Sequence, residues 1–179
     1  MAQNSTKQIT LGGGCFWCIE AAFEDVKGVE SVVSGYSGGN IKNPAYREVA
    51  SGKTNHAEVC QITYNPEKIN LNNLLEIFFL VHDPTTLNRQ GNDVGKHYRS
   101  IILYHNDNEL DLIKKEIEKY NKLYFDNKIV TEIQKYNAFY SAEDYHQEYY
   151  KNNSEQPYCK IVIEPKLQKA RKLLNKYYE

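Results

Sequence analysis

The chain has 179 residues, enough for one domain with a sizeable core, and its 22 basic and 23 acidic side chains nearly cancel, so nothing in the charge points to nucleic acid. The strongest apolar run, Leu74 to Val81, is too short to cross a bilayer. The polar start from Met1 to Lys7 has no apolar signal core, so a soluble cytoplasmic protein with no membrane association is expected.

A short apolar strand, Gln8 to Leu11, runs into Gly12-Gly13-Gly14 and then into a helix predicted over Cys15 to Val26. Val29 to Tyr36 reads as a strand, Ser37 to Asn55 as a long Gly/Asn/Pro-rich loop, and His56 to Tyr64 as a second strand. Leu71 to Val81 is predicted helical, His82 to Lys96 irregular, and Tyr98 to Tyr104 extended. An amphipathic helix over Glu109 to Leu123 carries Leu110, Ile113, Ile117 and Tyr120 on one stripe. A strand at Ile129 to Ile133, a short helix at Ala142 to Tyr150 and a final helix opening at Pro165 complete the pattern. The strands are too few and the loops too long for a doubly wound sheet. The expected fold is therefore α+β: a two-layer α/β sandwich with a mixed or antiparallel sheet, helices packed against it, and a ferredoxin-like core carrying long functional loops. No repeat or linker divides the chain, so 1–179 is expected to be one domain, with a catalytic core of about 8–150 and, at 151–179, a mobile segment carrying Cys159 and a C-terminal helix.

Four cysteines in a chain with no leader argue for thiol chemistry or metal, not a structural disulfide framework. Cys15 stands between a glycine turn and a helix start, where unpaired N–H groups and the positive dipole end favour thiolate. Phe16 and Trp17 follow it as an apolar floor for a substrate. Cys18 completes Cys-x-x-Cys, which forms a redox disulfide or half of a zinc site; no second such pair exists, so no metal site is expected.

Alternation along the strand His56 to Tyr64 sets Glu58 on one face with Cys60 and Ile62. A carboxyl buried there has a raised pKa and can give up a proton near neutral pH, whereas one at the strand's end simply reaches water. Cys60 on that face reads as core. Tyr36, Tyr46 and Tyr98 are either ordinary sheet aromatics or polar handles in an apolar pocket. Asp93 lies in the polar stretch that starts at His82, whose composition alone reads as surface loop. Cys159 lies in the polar run Asn152 to Cys159, either a bystander or a thiol that travels to meet another.

Taken together these pieces resemble the peptide methionine sulfoxide reductase A family, over about Ile9 to Cys159. The resemblance is carried in order by Gly13-Gly14-Cys15-Phe16-Trp17, Gly35-Tyr36-Ser37-Gly38-Gly39, Asn43 to Val49, His56-Ala57-Glu58-Val59, His82 to Thr86, Arg89 to Asp93, Tyr98-Arg99-Ser100 and Ala142 to His146. It implies a two-layer sandwich that reduces the S epimer of methionine sulfoxide, free or in proteins. It further implies that Cys15 attacks the sulfoxide sulfur and becomes a sulfenic acid, and that Phe16 and Trp17 hold the S-methyl group. Glu58 would protonate the oxygen with help from Tyr46 and Tyr98, and Asp93 would shape the pocket, with Tyr36 beside it as a further substrate-binding candidate. Cys159 is implied as the resolving thiol. Cys18 departs from the glycine many relatives carry and stands as a competing or relay thiol. No cofactor is implied; the external reductant would be a dithiol, a thioredoxin or dithiothreitol, acting on a monofunctional enzyme taken as a monomer. Two other readings stay open on the residues: a thioredoxin-like disulfide oxidoreductase, which leaves Glu58 and Cys159 without a role, and a zinc-binding interaction module.

Overall fold

The computed structural model describes residues 5–178. In chain order its elements are β1 (Lys7–Gly12), α1 (Phe16–Glu24), β2 (Val29–Ser37), α2 (Tyr46–Ala50), β3 (Ala57–Tyr64), α3 (Leu71–Val81), β4 (Arg89–Gln90) and β5 (Asp93–Val94). They continue with β6 (Ile101–Tyr104), α4 (Leu110–Tyr124), β7 (Glu132–Lys135), β8 (Phe139–Ser141), α5 (Tyr149–Asn153) and α6 (Glu164–Leu173). Six strands form one mixed sheet in the order β7-β6-β1-β3-β2-β8, antiparallel throughout except for the parallel β6–β7 pair. α1 carries the chain from β1 over β3 to β2, and α3 carries it from β3 over β1 to β6, so both crossovers skip one strand.

The period-two alternation of β3 decides what each face of the sheet carries. Cys60, Ile62 and Tyr64 join the main core with Phe16, Ile19 and Phe23 of α1 and Leu74, Leu75 and Phe78 of α3. Each of the isoleucine, leucine and phenylalanine side chains among them, fully buried, contributes about 1.5–3 kcal/mol. Ala57 and Val59 point the other way, into a smaller cluster with Ile101 and Leu103 capped by Tyr136 and Phe139. α6 closes the helical layer against α1 and α3, and it buries Leu167 and Ala170 with Leu174 just beyond its end. No helix among the described residues is long and apolar enough to cross a membrane.

Several local expectations shift. Cys15 is not helical; it caps α1 from extended backbone (φ −63°, ψ 130°). The predicted loop 37–55 contains α2, closed at its start by the Glu48 carboxylate accepting the Ala45 N–H at 3.0 Å. Tyr98 belongs to a 3₁₀ turn, Lys96–Tyr98, and β6 begins only at Ile101. The strand expected at Ile129–Ile133 moves to Glu132–Lys135, because the Ile129 and Val130 amides are taken by the Asn121 side chain and the Pro84 carbonyl. Ala142–Tyr150 is not one helix. A 3₁₀ turn at Asp144–His146 is broken from α5 by Glu148 in the left-handed region (φ +50°), whose N–H is drawn to the Glu20 carboxylate.

Candidate active site

The site lies where β1 ends and α1 begins. Gly14 adopts φ +86°, a conformation open to glycine, and a Cβ there would sit 2.6 Å from the Gln90 side chain. That turn delivers Cys15 to the start of α1, buried. Glu58 on β3 stands in register with Tyr36 on β2, and its Oε1 accepts the Phe16 N–H at 3.2 Å. The carboxyl is therefore fixed to the first turn of the helix that Cys15 caps.

Burial dominates the electrostatics. Desolvation pushes Glu58 up to about 8, opposed by the Phe16 N–H and reinforced by the negative charge of Asp93. Desolvation also pushes the Cys15 thiol well above its ordinary value, with the nearby charges of Glu58 and Cys18 adding to it. The Trp17 amide and Tyr158 hydroxyl pull the other way and do not win. The thiolate bias expected from the helix start does not prevail in the resting site: loss of water, the largest cause, raises the Cys15 thiol instead.

Tyr46 at the start of α2 and Tyr98 in its 3₁₀ turn converge on this carboxyl. Burial first, then Glu58, raises both phenols; for Tyr46 the Tyr98 hydroxyl acts in the opposite sense. Both therefore stay protonated and able to donate. Phe16 is buried with its ring 5.8 Å from that of Tyr36. Tyr36 donates to Glu143 at 3.1 Å. The Trp17 indole lies flat on Tyr149, with centroids 3.6 Å apart and planes within 6°, and Tyr158 meets it edge-on at 5.7 Å. Its N–H donates to His146 Nδ1 at 3.2 Å. Asp93 on β5 accepts the Tyr158 hydroxyl at 2.9 Å, and the same hydroxyl lies 3.8 Å from the Cys18 sulfur.

All four cysteines are buried free thiols in different surroundings. Cys60 lies under α1 with its sulfur 3.4 Å from the Phe16 carbonyl and 3.7 Å from Ser34 Oγ, a packed position. Cys18 is among the groups that raise Cys15, and burial raises it in turn. Cys159 opens a one-turn π-helix, Cys159–Ile163, between α5 and α6, packed into the main core. No group of three or more His, Cys, Asp or Glu suited to a metal ion occurs among the described residues.

Sequence reasoning missed Tyr158, Tyr149 and the bond from Trp17 to His146. His146 lies inside the Ala142 to His146 motif, but its partner is 129 residues away in sequence. Tyr158 is next to Cys159, yet only the helical turn decides that its hydroxyl meets Asp93 and Cys18.

The model of the family "Peptide methionine sulfoxide reductase" matches residues 7–177. The chain belongs to the peptide methionine sulfoxide reductase family. Membership makes it a peptide-methionine (S)-S-oxide reductase, a thiol-dependent enzyme that returns methionine sulfoxide to methionine. It is 55% identical to peptide methionine sulfoxide reductase MsrA of Sulfolobus acidocaldarius over 91% of this chain and 92% of that one. Among solved structures of the family, the reduced form of Mxr1 from Saccharomyces cerevisiae superposes with a TM-score of 0.81 at 38% identity, covering 86% of this chain and 89% of that one. Mxr1 in complex with Trx2 superposes with a TM-score of 0.58 at 32% identity, covering 80% and 84%. The thioredoxin-like oxidoreductase and zinc-module readings give way to this family, and the mixed α/β sandwich is its fold.

Proposed function

We propose that Cys15 is the nucleophile and Glu58 the acid of this reductase. The observation that carries this is the Glu58 carboxyl, buried and hydrogen-bonded to the first turn of the helix that Cys15 caps, with its pKa held up to about 8. A sulfoxide oxygen is a poor leaving group until protonated, so an acid must reach it while sulfur is attacked. At neutral pH Glu58 retains its proton for that purpose. As Cys15 sulfur bonds to the sulfoxide sulfur, Glu58 gives its proton to the oxygen and recovers one from the thiol. Cys15 ends as a sulfenic acid carrying the sulfoxide oxygen, and methionine leaves reduced. Tyr46 and Tyr98 donate to the same oxygen. Phe16 and Trp17 hold the S-methyl group, while Asp93 shapes the pocket from the far side, through the Tyr158 hydroxyl; Tyr36 lines it next to Phe16.

The sulfenic acid then condenses with a second thiol, forming a disulfide and releasing water. Cys159 fills that role in this reading, with Cys18 as a relay or competitor. The proximity of Cys18, Tyr158 and Cys15 supports the relay: the Tyr158 hydroxyl lies 3.8 Å from the Cys18 sulfur and acts to lower the pKa of both thiols. A thioredoxin-like dithiol returns the enzyme to its thiol form, a partner supported by the Mxr1–Trx2 complex. We place this monomeric, cofactor-free enzyme in the cytoplasm, with no nucleic-acid or membrane partner.

The test is reductant-dependent turnover of methionine S-sulfoxide with the R epimer as control, followed by mapping of the disulfide after one turnover without reductant. Conversion of the S epimer alone and a Cys15–Cys159 link are expected. A dominant Cys15–Cys18 link reverses the order of the two thiols, and no turnover by folded enzyme defeats the reading.

A further inference from the structure

The motifs His82 to Thr86, Arg89 to Asp93 and Tyr98 to Ser100 lend the reaction only Asp93 and Tyr98, yet each also places a residue against the glycine turn that delivers Cys15. His82 directly follows α3 and is buried. A Cβ on Gly13 would sit 2.7 Å from its Cδ2 and 2.8 Å from its Cγ, so the imidazole fills the space a side chain at that position would take. Gln90 does the same at Gly14. It is held there by Asp83, whose N–H donates to its Oε1 and whose carbonyl accepts from its Nε2, both at 2.9 Å. The Gly14 N–H donates to the Tyr98 carbonyl at 3.1 Å. The turn is thus gripped by its neighbours.

Both ring nitrogens of His82 are engaged. Nδ1 lies 2.5 Å from the Phe78 carbonyl at the end of α3; a carbonyl only accepts, so Nδ1 carries the proton. Burial keeps the ring neutral, its pKa held down to about 4. Nε2 therefore accepts the Ser100 hydroxyl at 2.8 Å, and Ser100 Oγ accepts that of Thr131 at 2.8 Å. With the Phe78 ring against it, centroids 4.1 Å apart, the imidazole is fixed in one orientation. We propose that His82 is a positioning residue of the reductase: held by Phe78, Ser100 and Thr131, its ring sets the Gly13 turn and so the place of the Cys15 sulfur against the Glu58 carboxyl. This rests on Cys15 as nucleophile and Glu58 as acid, and it adds the device that aligns them. Glu58 is tied to the Phe16 N–H, and Cys15 lies between that amide and the turn, so a shift of the turn moves sulfur relative to carboxyl.

The test is the first turnover of methionine S-sulfoxide without reductant, which leaves out recycling of the disulfide. Its amplitude counts competent enzyme and its rate reports the chemistry. His82→Ala is expected to slow it about 10²-fold at wild-type amplitude, the scale of a displacement of about 1 Å between reacting groups. A fall of less than about threefold overturns the proposal. A role confined to the fold would lower the amplitude and leave the rate. In a Glu58→Gln background the same change should cost less than about fivefold, because the alignment it disturbs no longer serves a proton transfer. An undiminished loss there overturns the proposal, since the effect would not pass through Cys15 and Glu58. If His82→Ala fails to fold, Ser100→Ala removes only the hydroxyl that fixes Nε2. It should slow the first turnover about fivefold at full amplitude, and an unchanged rate overturns the proposal. Wild-type enzyme with no first turnover defeats the nucleophile reading and this one with it, whereas a rate indifferent to His82 and Ser100 defeats this one alone.

Discussion

α1 meets a buried carboxyl of β3, Glu58, at its start and carries two of its own, Glu20 and Glu24, along its later turns, and the two sites do different work. At its start Glu58 has one hydrogen-bond donor, the Phe16 amide, and no cation beside it. Near its end Glu20 is fully engaged: Ser34 Oγ donates at 2.9 Å, the Glu148 N–H binds the other oxygen, and Glu24 beside it lies 3.8 Å from Lys151. Burial raises all three carboxyls, Glu24 to about 7. A raised pKa therefore does not by itself mark the acid of the reaction. What separates the two sites is what remains free: Glu58 has an uncommitted oxygen next to a thiol, whereas Glu20 uses both oxygens to tie α1 to β2 and to the start of α5.

The largest contrast should appear in turnover. Glu58→Gln keeps the shape and an oxygen for the Phe16 N–H but cannot supply the proton. It should lower kcat for methionine S-sulfoxide about 10²- to 10⁴-fold at neutral pH, measured by steady-state kinetics on folded protein. A change of less than about threefold would remove Glu58 as the acid and erase the distinction between the two ends.

Glu20→Ala should act on stability instead. It strips the acceptor from a buried hydroxyl and from the amide that sets the break before α5, at a cost of about 2 kcal/mol in urea unfolding. Turnover per folded molecule should remain close to wild type. A collapse in kcat with the fold intact would mean that the C-terminal end of α1 controls the chemistry through α5 and Tyr149.

Much of this was legible in the sequence because it follows from local rules. The alternation of β3 placed Glu58, Cys60 and Ile62 on one face, and the glycine run placed Cys15 at a helix start. What the sequence could not carry depends on contacts between distant segments. The helix expected over Ala142–Tyr150 is consistent with its local residues, but Gln147 bonds the Ser34 backbone and Glu148 is bound by Glu20, so the chain breaks. The direction of the thiol's pKa shift failed for the same reason: helix position is local, while burial within the fold and the approach of Glu58 are not.

A smaller difference concerns the donors. Ser34 meets its carboxylate directly, but Tyr46 and Tyr98 are proposed to act on the substrate oxygen together. Tyr46→Phe and Tyr98→Phe should each lower kcat about tenfold, and the double variant by less than the product, since neighbours serving one oxygen do not add. Full additivity in a double-mutant cycle would assign them to separate steps.

The smallest effect is in the pH dependence of stability. A carboxyl with a folded pKa above its unfolded value near 4.5 binds an extra proton only in the folded state. The stabilisation this gives is complete below about 4.5 and is lost as pH rises through the folded value. For Glu24 that loss runs to about 7, and for Glu58 to about 8. Thermal unfolding of wild type should therefore decline from mildly acidic to mildly alkaline pH. In Glu58→Gln the decline should level off near 7, whereas in Glu24→Gln it should persist to about 8. Identical curves for the two variants would mean that the ends of α1 titrate as one unit, and that their separation into an acid and an anchor lies in their partners alone.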